Sequence, residues 1–470
     1  MSPRTPNVLI ILTDEWRAQS VGYAGDPNAR TPRIDALAAE SVNFENAISG
    51  APVCCPARAS LLTGQYPLEH GVYINDVELK PKGPTLGEVY REAGYRTGYI
   101  GKWHLHGSPD GRYGRRKDPV PREKQFGFDY WKAAECTHDY NESFYFEGAN
   151  TERKYWEGYD ADAQTTDACA FVENNEDQRP YLLVVSYGPP HFPLHTAPEC
   201  FREHYADTPI ELRGNVPPEL ADASTQALRG YYAHIAALDD CVGRLLDAVQ
   251  RSGSAEDTIV IFTSDHGDMM GSQGIRHDVK VCPWDESVRV PLLVRHPARF
   301  GTAGRTNPVP VNTPDLMPTL LALSGLPVPG KVQGRDVFGA NPPESAFIGI
   351  PVPILWARTY GISEYRGVRT DRHTYIRTLQ GPWLLYDNIE DPLQLHNLCA
   401  EPESAALRVE LEGELDRWLS ELGDEFLPAE KYLRHDGLEH YSEVNNPVGS
   451  STGPGGAWVS TMVAEVEHRS

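Results

Sequence analysis

The chain has 470 residues, of which 40% are hydrophobic and 23% are charged, and its formal net charge is −23 at pH 7. This length predicts roughly two to four domain-sized units. The acidic balance argues against a nucleic-acid partner and against an anionic membrane surface, so that an anionic substrate would need a local positive site. No apolar run approaches the roughly 20 residues that a membrane-spanning helix requires.

The first apolar run, residues 7–12, is short and leads directly into charged residues. A secretory signal would need a basic lead, a longer apolar region and a small-residue cleavage site. We therefore expect a cytoplasmic protein without a membrane partner. The 8 cysteines lack the spacing of a metal-binding knuckle, so we expect free thiols.

In chain order, short β-rich runs alternate with helical patterns, which is typical of an α/β fold with a largely parallel sheet. The predicted strands are residues 8–12, 95–100, 181–187, 258–263 and 290–295. The predicted helices are residues 34–41, 84–93, 223–250 and 312–323. In the longest helix, six apolar residues recur at helical spacing and predict a buried face.

A stretch rich in Pro and Gly at residues 339–353 predicts a domain boundary. We expect a large domain at residues 1–345, a smaller α+β subdomain at 346–427 and a polar tail at 428–470. Within the subdomain, residues 361–377 and 382–386 predict a small antiparallel sheet, and residues 407–422 predict a final amphipathic helix. The tail contains a Gly/Ser/Pro-rich stretch, which indicates a flexible or partner-dependent segment.

The most informative stretch is residues 54–64, which read CCPARASLLTG. Cys54 stands two residues before Pro56 and four before Arg58. Pro56 presets the backbone, and a helix that starts at about residues 57–60 would aim amide N–H groups at an anion. A Cys-Pro turn ahead of a buried helix would explain the first residues alone, but the full string is more specific. It resembles the signature of the type I sulfatases of the alkaline-phosphatase-like superfamily.

The resemblance implies that Cys54 is oxidised after synthesis to formylglycine, an aldehyde. The partner for this step would be a formylglycine-generating or anaerobic sulfatase-maturing enzyme. Arg58 would hold the hydroxylated side chain. One hydroxyl of the hydrate would attack sulfur to give a covalent sulfo-enzyme, and collapse to the aldehyde would expel sulfate. The implied fold is a large mixed, mostly parallel sheet flanked by helices, with a smaller C-terminal α+β subdomain.

Two acidic fragments follow predicted strands, Asp14-Glu15 after the first and Asp265-His266 after residues 258–263. Ligands bind at the carboxyl ends of strands in such sheets, and carboxylates suit a hard divalent cation. For Asp14-Glu15 alone, the preference of a helix N-terminus for acidic residues is an equally good explanation. The resemblance implies a metal site of Asp14, Glu15, Cys54, Asp265 and His266. Many relatives have aspartate in place of Glu15 and asparagine in place of His266. We expect Ca²⁺ first, with Mg²⁺ and Mn²⁺ open.

Residues 94–104, GYRTGYIGKWH, resemble a second signature of the family. On an extended segment Lys102 and His104 would share one face. Lys102 would neutralise charge on the transferred oxygens, and His104 would take a proton as sulfate leaves. His191, in the string PPHFP, and Lys280 match residues on the leaving-group side. We expect His191 to act as general acid and Lys280 to hold the ester oxygen.

The expected reaction is hydrolysis of a sulfate monoester, of an aryl or carbohydrate sulfate, to an alcohol and sulfate. The alternatives are a phosphonate monoester or phosphodiester hydrolase of the same superfamily and an inactive binding homologue, although none of the catalytic positions is lost. The substrate would be a small-molecule or glycan sulfate ester, and the oligomeric state stays open, a homo-oligomer included. His138 and Tyr140 are candidate pocket residues. A basic cluster is either a solvated loop, which we favour, or a grip for a polyanionic glycan; its members are Arg112, Arg115, Arg116, Lys117, Arg122 and Lys124.

Overall fold

The structure is a computed structural model that describes residues 5–109, 113–175 and 177–441. Arg112 and the Gly/Ser/Pro-rich part of the predicted tail lie outside the described residues. The strands are β1 (Asn7–Asp14), β2 (Val42–Phe44), β3 (Ala47–Ile48), β4 (Arg96–Lys102), β5 (Tyr130–Ala134), β6 (Phe144–Glu147), β7 (Lys154–Tyr155), β8 (Tyr181–Pro190), β9 (Thr258–Ser264), β10 (Leu292–Arg295), β11 (Arg305–Asn307), β12 (Val311–Asn312), β13 (Ala346–Ile350), β14 (Tyr365–Arg369), β15 (His373–Thr378) and β16 (Gly381–Asp387).

The α-helices of the described part are α1 (Pro32–Ala38), α2 (Cys54–Thr63), α3 (Pro67–His70), α4 (Leu86–Glu92), α5 (Asp160–Glu173), α6 (Glu199–Ala206), α7 (Ala221–Arg251), α8 (Asp285–Val288), α9 (Pro297–Phe300), α10 (Leu316–Leu323), α11 (Leu355–Thr359), α12 (Ala405–Leu422) and α13 (Ala429–Asp436). Among these described helices, none has the length and apolar character to cross a bilayer.

A 10-stranded sheet forms the centre of the molecule, with the order β11-β2-β10-β9-β1-β8-β4-β5-β6-β7. The five neighbours β9, β1, β8, β4 and β5 run parallel, whereas β10, β6 and β7 each pair antiparallel. The prediction of a mixed, mostly parallel sheet is therefore confirmed. Because parallel strands end at one edge of a sheet, the residues that follow β1, β8, β9 and β4 meet there.

Every residue of β1 from Asn7 to Asp14 is buried, because helices cover both faces of this sheet. Its alternate side chains enter different cores. Val8, Ile10 and Leu12 pack in the core that includes residues of α2, α4 and α10. Leu9 and Ile11 pack against the side of α5 and α7. The predicted apolar face of the long helix is confirmed, since its six residues are all buried.

A four-stranded antiparallel sheet, β13-β14-β15-β16, forms the smaller C-terminal unit. One face packs on α12, and the other contacts the loops near residues 269–282 of the large domain. Strand β13 lies inside the stretch that we read as a Pro/Gly-rich boundary. The flanking Pro and Gly hid a five-residue run that is wholly buried.

The described part of the predicted tail, residues 428–441, is folded against the large domain, which differs from the expected flexible segment. It forms α13, and Ala429, Leu433 and Tyr441 join the main core. The Tyr441 hydroxyl donates hydrogen bonds to the carbonyls of Ser108, at 2.8 Å, and Asp76, at 3.0 Å. Three apolar contacts spread among charged residues give a weak sequence signal. The boundary near residue 345 stays a prediction.

Candidate active site

Cys54 is the first residue of α2, three positions earlier than the predicted helix start, and its side chain is buried. Its Sγ lies 3.3 Å from Nε2 of His266 and 3.7 Å from Oδ1 of Asp14. Burial disfavours the thiolate, but Lys102, Lys280 and His266 together hold the pKa of Cys54 well below its usual range. The site therefore stabilises negative charge at position 54.

Arg58 lies one helical turn after Cys54 and bridges two buried carboxylates. Its Nη2 is 3.0 Å from Oδ2 of Asp14, and its Nε donates to Oδ2 of Asp265 at 3.0 Å. Its Nη1 donates to the carbonyl of Lys102 and to Oγ of Ser186. This guanidinium fork fixes the two acidic strand ends relative to each other. Its predicted contact with the modified side chain stays a prediction.

Four predicted ligands form one group: a ligand atom each from Asp14, Cys54, Asp265 and His266, all within 4.8 Å of one another. Nδ1 of His266 donates to the Gly267 carbonyl at 2.9 Å, which turns Nε2 toward the acidic side chains. Although burial opposes it, Asp265 and Cys54 raise the pKa of His266 to about 9. The cluster therefore attracts positive charge, and its buried oxygen and nitrogen donors fit a divalent cation.

Glu15 is not a member of that group, but it lies close to Asp14, which is. Its backbone φ is +67°, and its carboxylate lies 3.2 Å from Nζ of Lys280 and 3.3 Å from Nε2 of His191. Asp14, Glu15 and His191 form a second group with ligand-like spacing. Asp14 therefore belongs to both groups, and the Glu15 carboxylate lies on the side of Lys280 and His191. The metal-ligand role of Glu15 stays a prediction.

His191 and Lys280 are in direct contact, with 2.8 Å between Nζ of Lys280 and Nε2 of His191. Nδ1 of His191 donates to the Phe192 carbonyl at 3.0 Å, so Nε2 accepts from the lysine. Burial and the nearby Lys280 lower the pKa of His191 to about 4. The His138 ring stacks on His191 with 4.5 Å between centroids, which places this candidate in the site. Tyr140 is buried behind it and donates to the Phe192 carbonyl.

Lys102 ends β4, and its Nζ contacts Oδ2 of Asp14. His104 is also buried in the site, but it does not continue the strand, because its φ is +60°. Both side chains lie in the site, but the prediction that they share one face of an extended segment is wrong. Lys102 lies at the end of the strand, and His104 lies beyond it in the left-handed conformation. Nε2 of His104 lies 3.6 Å from Oδ1 of Asp76.

Sequence reasoning missed Ser186 and Asp76. Ser186 lies within β8 and Asp76 in the loop after α3, and neither stands in a motif or at a predicted strand end. Only the folded contacts identify them.

The basic cluster is largely paired with acidic side chains. Arg115 and Lys124 contact Glu78, Arg116 contacts Asp76, and Arg122 contacts Asp129. These ion pairs favour the solvated-loop interpretation over a free polyanion grip.

Comparison with known proteins agrees with this architecture. The sequence model of the family described as "Sulfatase" matches residues 6–326, and that of "N-sulphoglucosamine sulphohydrolase, C-terminal" matches residues 277–421. An ulvan-active sulfatase of Formosa agariphila is 44% identical over 92% of this chain and 84% of its own length. An endo-4-O-sulfatase of Bacteroides thetaiotaomicron is 30% identical over 89% of this chain and 92% of its own length.

Among solved structures, the YidJ protein of Bacteroides fragilis superposes with a TM-score of 0.81 at 30% identity, covering 92% of this chain and 98% of that one. The match of the sulfatase sequence model extends over more than half of the chain, and it includes all the residues of the site described above. The chain therefore belongs to the sulfatase family, whose members hydrolyse sulfate monoesters, and the buried cluster at the edge of its sheet is the candidate active site.

Proposed function

We propose that this sulfatase acts on carbohydrate sulfate esters, with Cys54 converted to formylglycine and one divalent cation, Ca²⁺ as first choice, held beside it. The observation that carries the chemistry is the grouping of Asp14, Cys54, Asp265 and His266 around one point. The carbohydrate class is supported by the relatives, one active on ulvan and another an endo-4-O-sulfatase. The family model that matches the C-terminal part is named for an N-sulphoglucosamine sulphohydrolase, whose name contains a sulphated sugar.

The cation and the aldehyde would each supply one element of the reaction. A cation at the four-ligand group would draw charge from the sulfate oxygens. The aldehyde at position 54, once hydrated, would supply a hydroxyl nucleophile, which a thiol cannot replace because it releases sulfate poorly. The chain's own residues perform the proton transfers and hold the sulfate.

On the leaving-group side, His191 would place a proton on the ester oxygen as its bond to sulfur breaks, so that the product departs as an alcohol. Lys280, whose Nζ lies 2.8 Å from Nε2, is placed to hold that oxygen and to donate a hydrogen bond to His191. On the opposite side, Lys102 would neutralise the sulfate oxygens. His104 would then take a proton from the residue at position 54 as sulfate departs.

Loss of Asp265 is expected to remove the metal with little effect on the fold. In Asp265→Asn the side-chain shape is kept, but one anionic ligand of the four is lost. We expect bound Ca²⁺, measured by mass spectrometry of metals after dialysis, to fall below one ion per chain, and turnover to fall by on the order of 10²-fold or more. The melting temperature should change far less than the rate.

Glu15→Gln is the comparison variant, because Glu15 contacts Lys280 and His191 and lies close to Asp14 but is not one of the four grouped ligands. The resemblance makes Glu15 a further ligand, so this variant is also expected to lose metal and activity. If Asp265→Asn retains a full complement of metal after chelation and dialysis, the four-ligand site is wrong. If Glu15→Gln keeps its metal, Glu15 is not the ligand that the resemblance implies.

The substrate class is tested by comparing kcat/KM over a panel of esters. The panel consists of ulvan, N-acetylglucosamine 6-sulfate, choline sulfate, nitrophenyl sulfate and a nitrophenyl phosphodiester. We expect the carbohydrate sulfates to be preferred over choline sulfate and over the phosphodiester. A phosphodiester that exceeds every sulfate would contradict the proposal and favour the hydrolase alternative named above.

A further inference from the structure

Asp76 lies behind His104 at the centre of a network that none of the sequence motifs includes. Its carboxylate is buried, and Oδ1 is 3.6 Å from Nε2 of His104. Within the described residues, neither ring nitrogen of His104 has a partner at hydrogen-bond distance. Catalytic hydrogen bonds are often long in a protein without substrate and tighten in the complex. Asp76 is therefore placed to become the partner of this ring.

Hydrogen bonds to four residues fix the position of Asp76. Arg116 binds both carboxylate oxygens, with Nε at 2.8 Å from Oδ1 and Nη2 at 2.7 Å from Oδ2. The Asp76 amide donates to Sγ of Cys55, next to the nucleophile position, at 3.3 Å. Its carbonyl accepts the hydroxyl of Tyr441 and the amide of Ser108.

The backbone at both residues is unusual for side chains of this kind. Asp76 has φ +65° and His104 has φ +60°, so two non-glycine residues in the left-handed region face each other. Such conformations persist only where the surroundings impose them, and they concentrate at functional sites. Burial disfavours the Asp76 charge, but Arg116 and His104 hold the pKa of Asp76 well below its usual range. The carboxylate is a fixed anionic acceptor.

We propose that Asp76 is the positioning residue of His104: it binds Nε2–H and so leaves Nδ1 to take the proton in the step that releases sulfate. This inference rests on the proposed function. In that step Nδ1 takes the proton of the hydroxyl at position 54, and the electrons of the O–H bond form the C=O bond of the aldehyde. The bond from carbon to the sulfate oxygen breaks, and sulfate departs with its electron pair. No oxidant or other reactant is needed.

The test compares Asp76→Asn with wild-type enzyme that carries the aldehyde at position 54, using nitrophenyl sulfate. The amide keeps the size of the side chain but removes the anionic acceptor. We expect kcat to fall roughly 10- to 100-fold, as for other residues that orient a functional histidine. KM should fall in parallel, leaving kcat/KM near the wild-type value, because nitrophenol release precedes the impaired step. A burst of nitrophenol should precede the slower steady state. Sulfate should stay covalently attached to the peptide that contains residue 54.

Two controls separate positioning from a general structural role. Glu78→Gln removes the other acidic partner of the basic loop, which contacts Arg115 and Lys124, and should behave like wild type. In a His104→Ala background, Asp76→Asn should cost nothing further, since an effect that acts through His104 disappears with it. An additive loss, or a fall of kcat/KM equal to that of kcat, would overturn the proposal.

Arg116→Lys decides the case if Asp76→Asn does not fold. Lysine keeps the charge but cannot bind both oxygens at once. We expect the same burst and a slower steady state, with a smaller fall in kcat than in Asp76→Asn. Wild-type kinetics in this variant would refute the positioning role. Wild-type enzyme that carries the aldehyde but hydrolyses no sulfate ester would instead contradict the proposed function, so the two failures are distinguishable.

Discussion

Cys54→Ala is expected to abolish sulfate ester hydrolysis, with a loss of roughly 10⁴-fold or more, the size typical of a removed nucleophile. The reason is positional. Cys54 begins α2, and its Sγ lies 3.3 Å from His266 and 3.7 Å from Asp14, at the centre of the buried site. Peptide mass spectrometry of active enzyme should show an aldehyde at position 54 in place of the thiol.

The adjacent cysteine provides the matched control. Cys55 is equally buried, but its Sγ accepts a hydrogen bond from the Asp76 amide. Cys55→Ala should keep most of the activity and lose some stability, because it removes one buried sulfur. Full activity in Cys54→Ala, or an aldehyde found at position 55, would contradict the mechanism. Cys54→Ala should also fold and bind the cation more weakly, since it retains three of the four ligands.

The convergence of the site could be predicted from the sequence because it follows from the sheet. Asp14, Asp265 and His191 each come just after or at the end of an apolar strand, and parallel strands end at one edge. At each of these residues, the motif and the position at the end of a strand both predicted a place in the site. The long helix was equally predictable, since a buried face at helical spacing needs no knowledge of its neighbours.

The residues that sequence reasoning missed, and those whose side-chain direction it could not give, depend on backbone conformation or on contacts distant in the chain. Glu15 and His104 have positive φ, so neither the helix nor the strand period gives their direction. Asp76 meets Arg116 and Tyr441 only in the folded chain, across 40 and 365 residues. Strand β13 was hidden by flanking Pro and Gly, whose turn signal outweighed a short apolar run.

His191→Ala is expected to affect substrates according to their leaving groups. A nitrophenolate is a weak base and needs little protonation, whereas the alkoxide of a sugar needs a proton to depart. If His191 supplies that proton, its loss should slow a sugar sulfate on the order of 10²–10⁴-fold more than nitrophenyl sulfate. The comparison requires kcat/KM for both esters with the same enzyme preparation. Lys280→Met should show the same trend, because Nζ contacts Nε2 of His191.

His195→Ala is the matched control, since this histidine lies four residues later on an exposed turn. It should leave both substrates unaffected. His104→Ala should differ from His191→Ala in kind, slowing both substrates and retaining sulfate at position 54, because it acts after the leaving group has gone. An equal loss on both esters in His191→Ala would show that the residue binds sulfate or supports Glu15, at 3.3 Å, and does not donate the proton. The ratio of the two losses, more than either loss alone, therefore identifies the general acid.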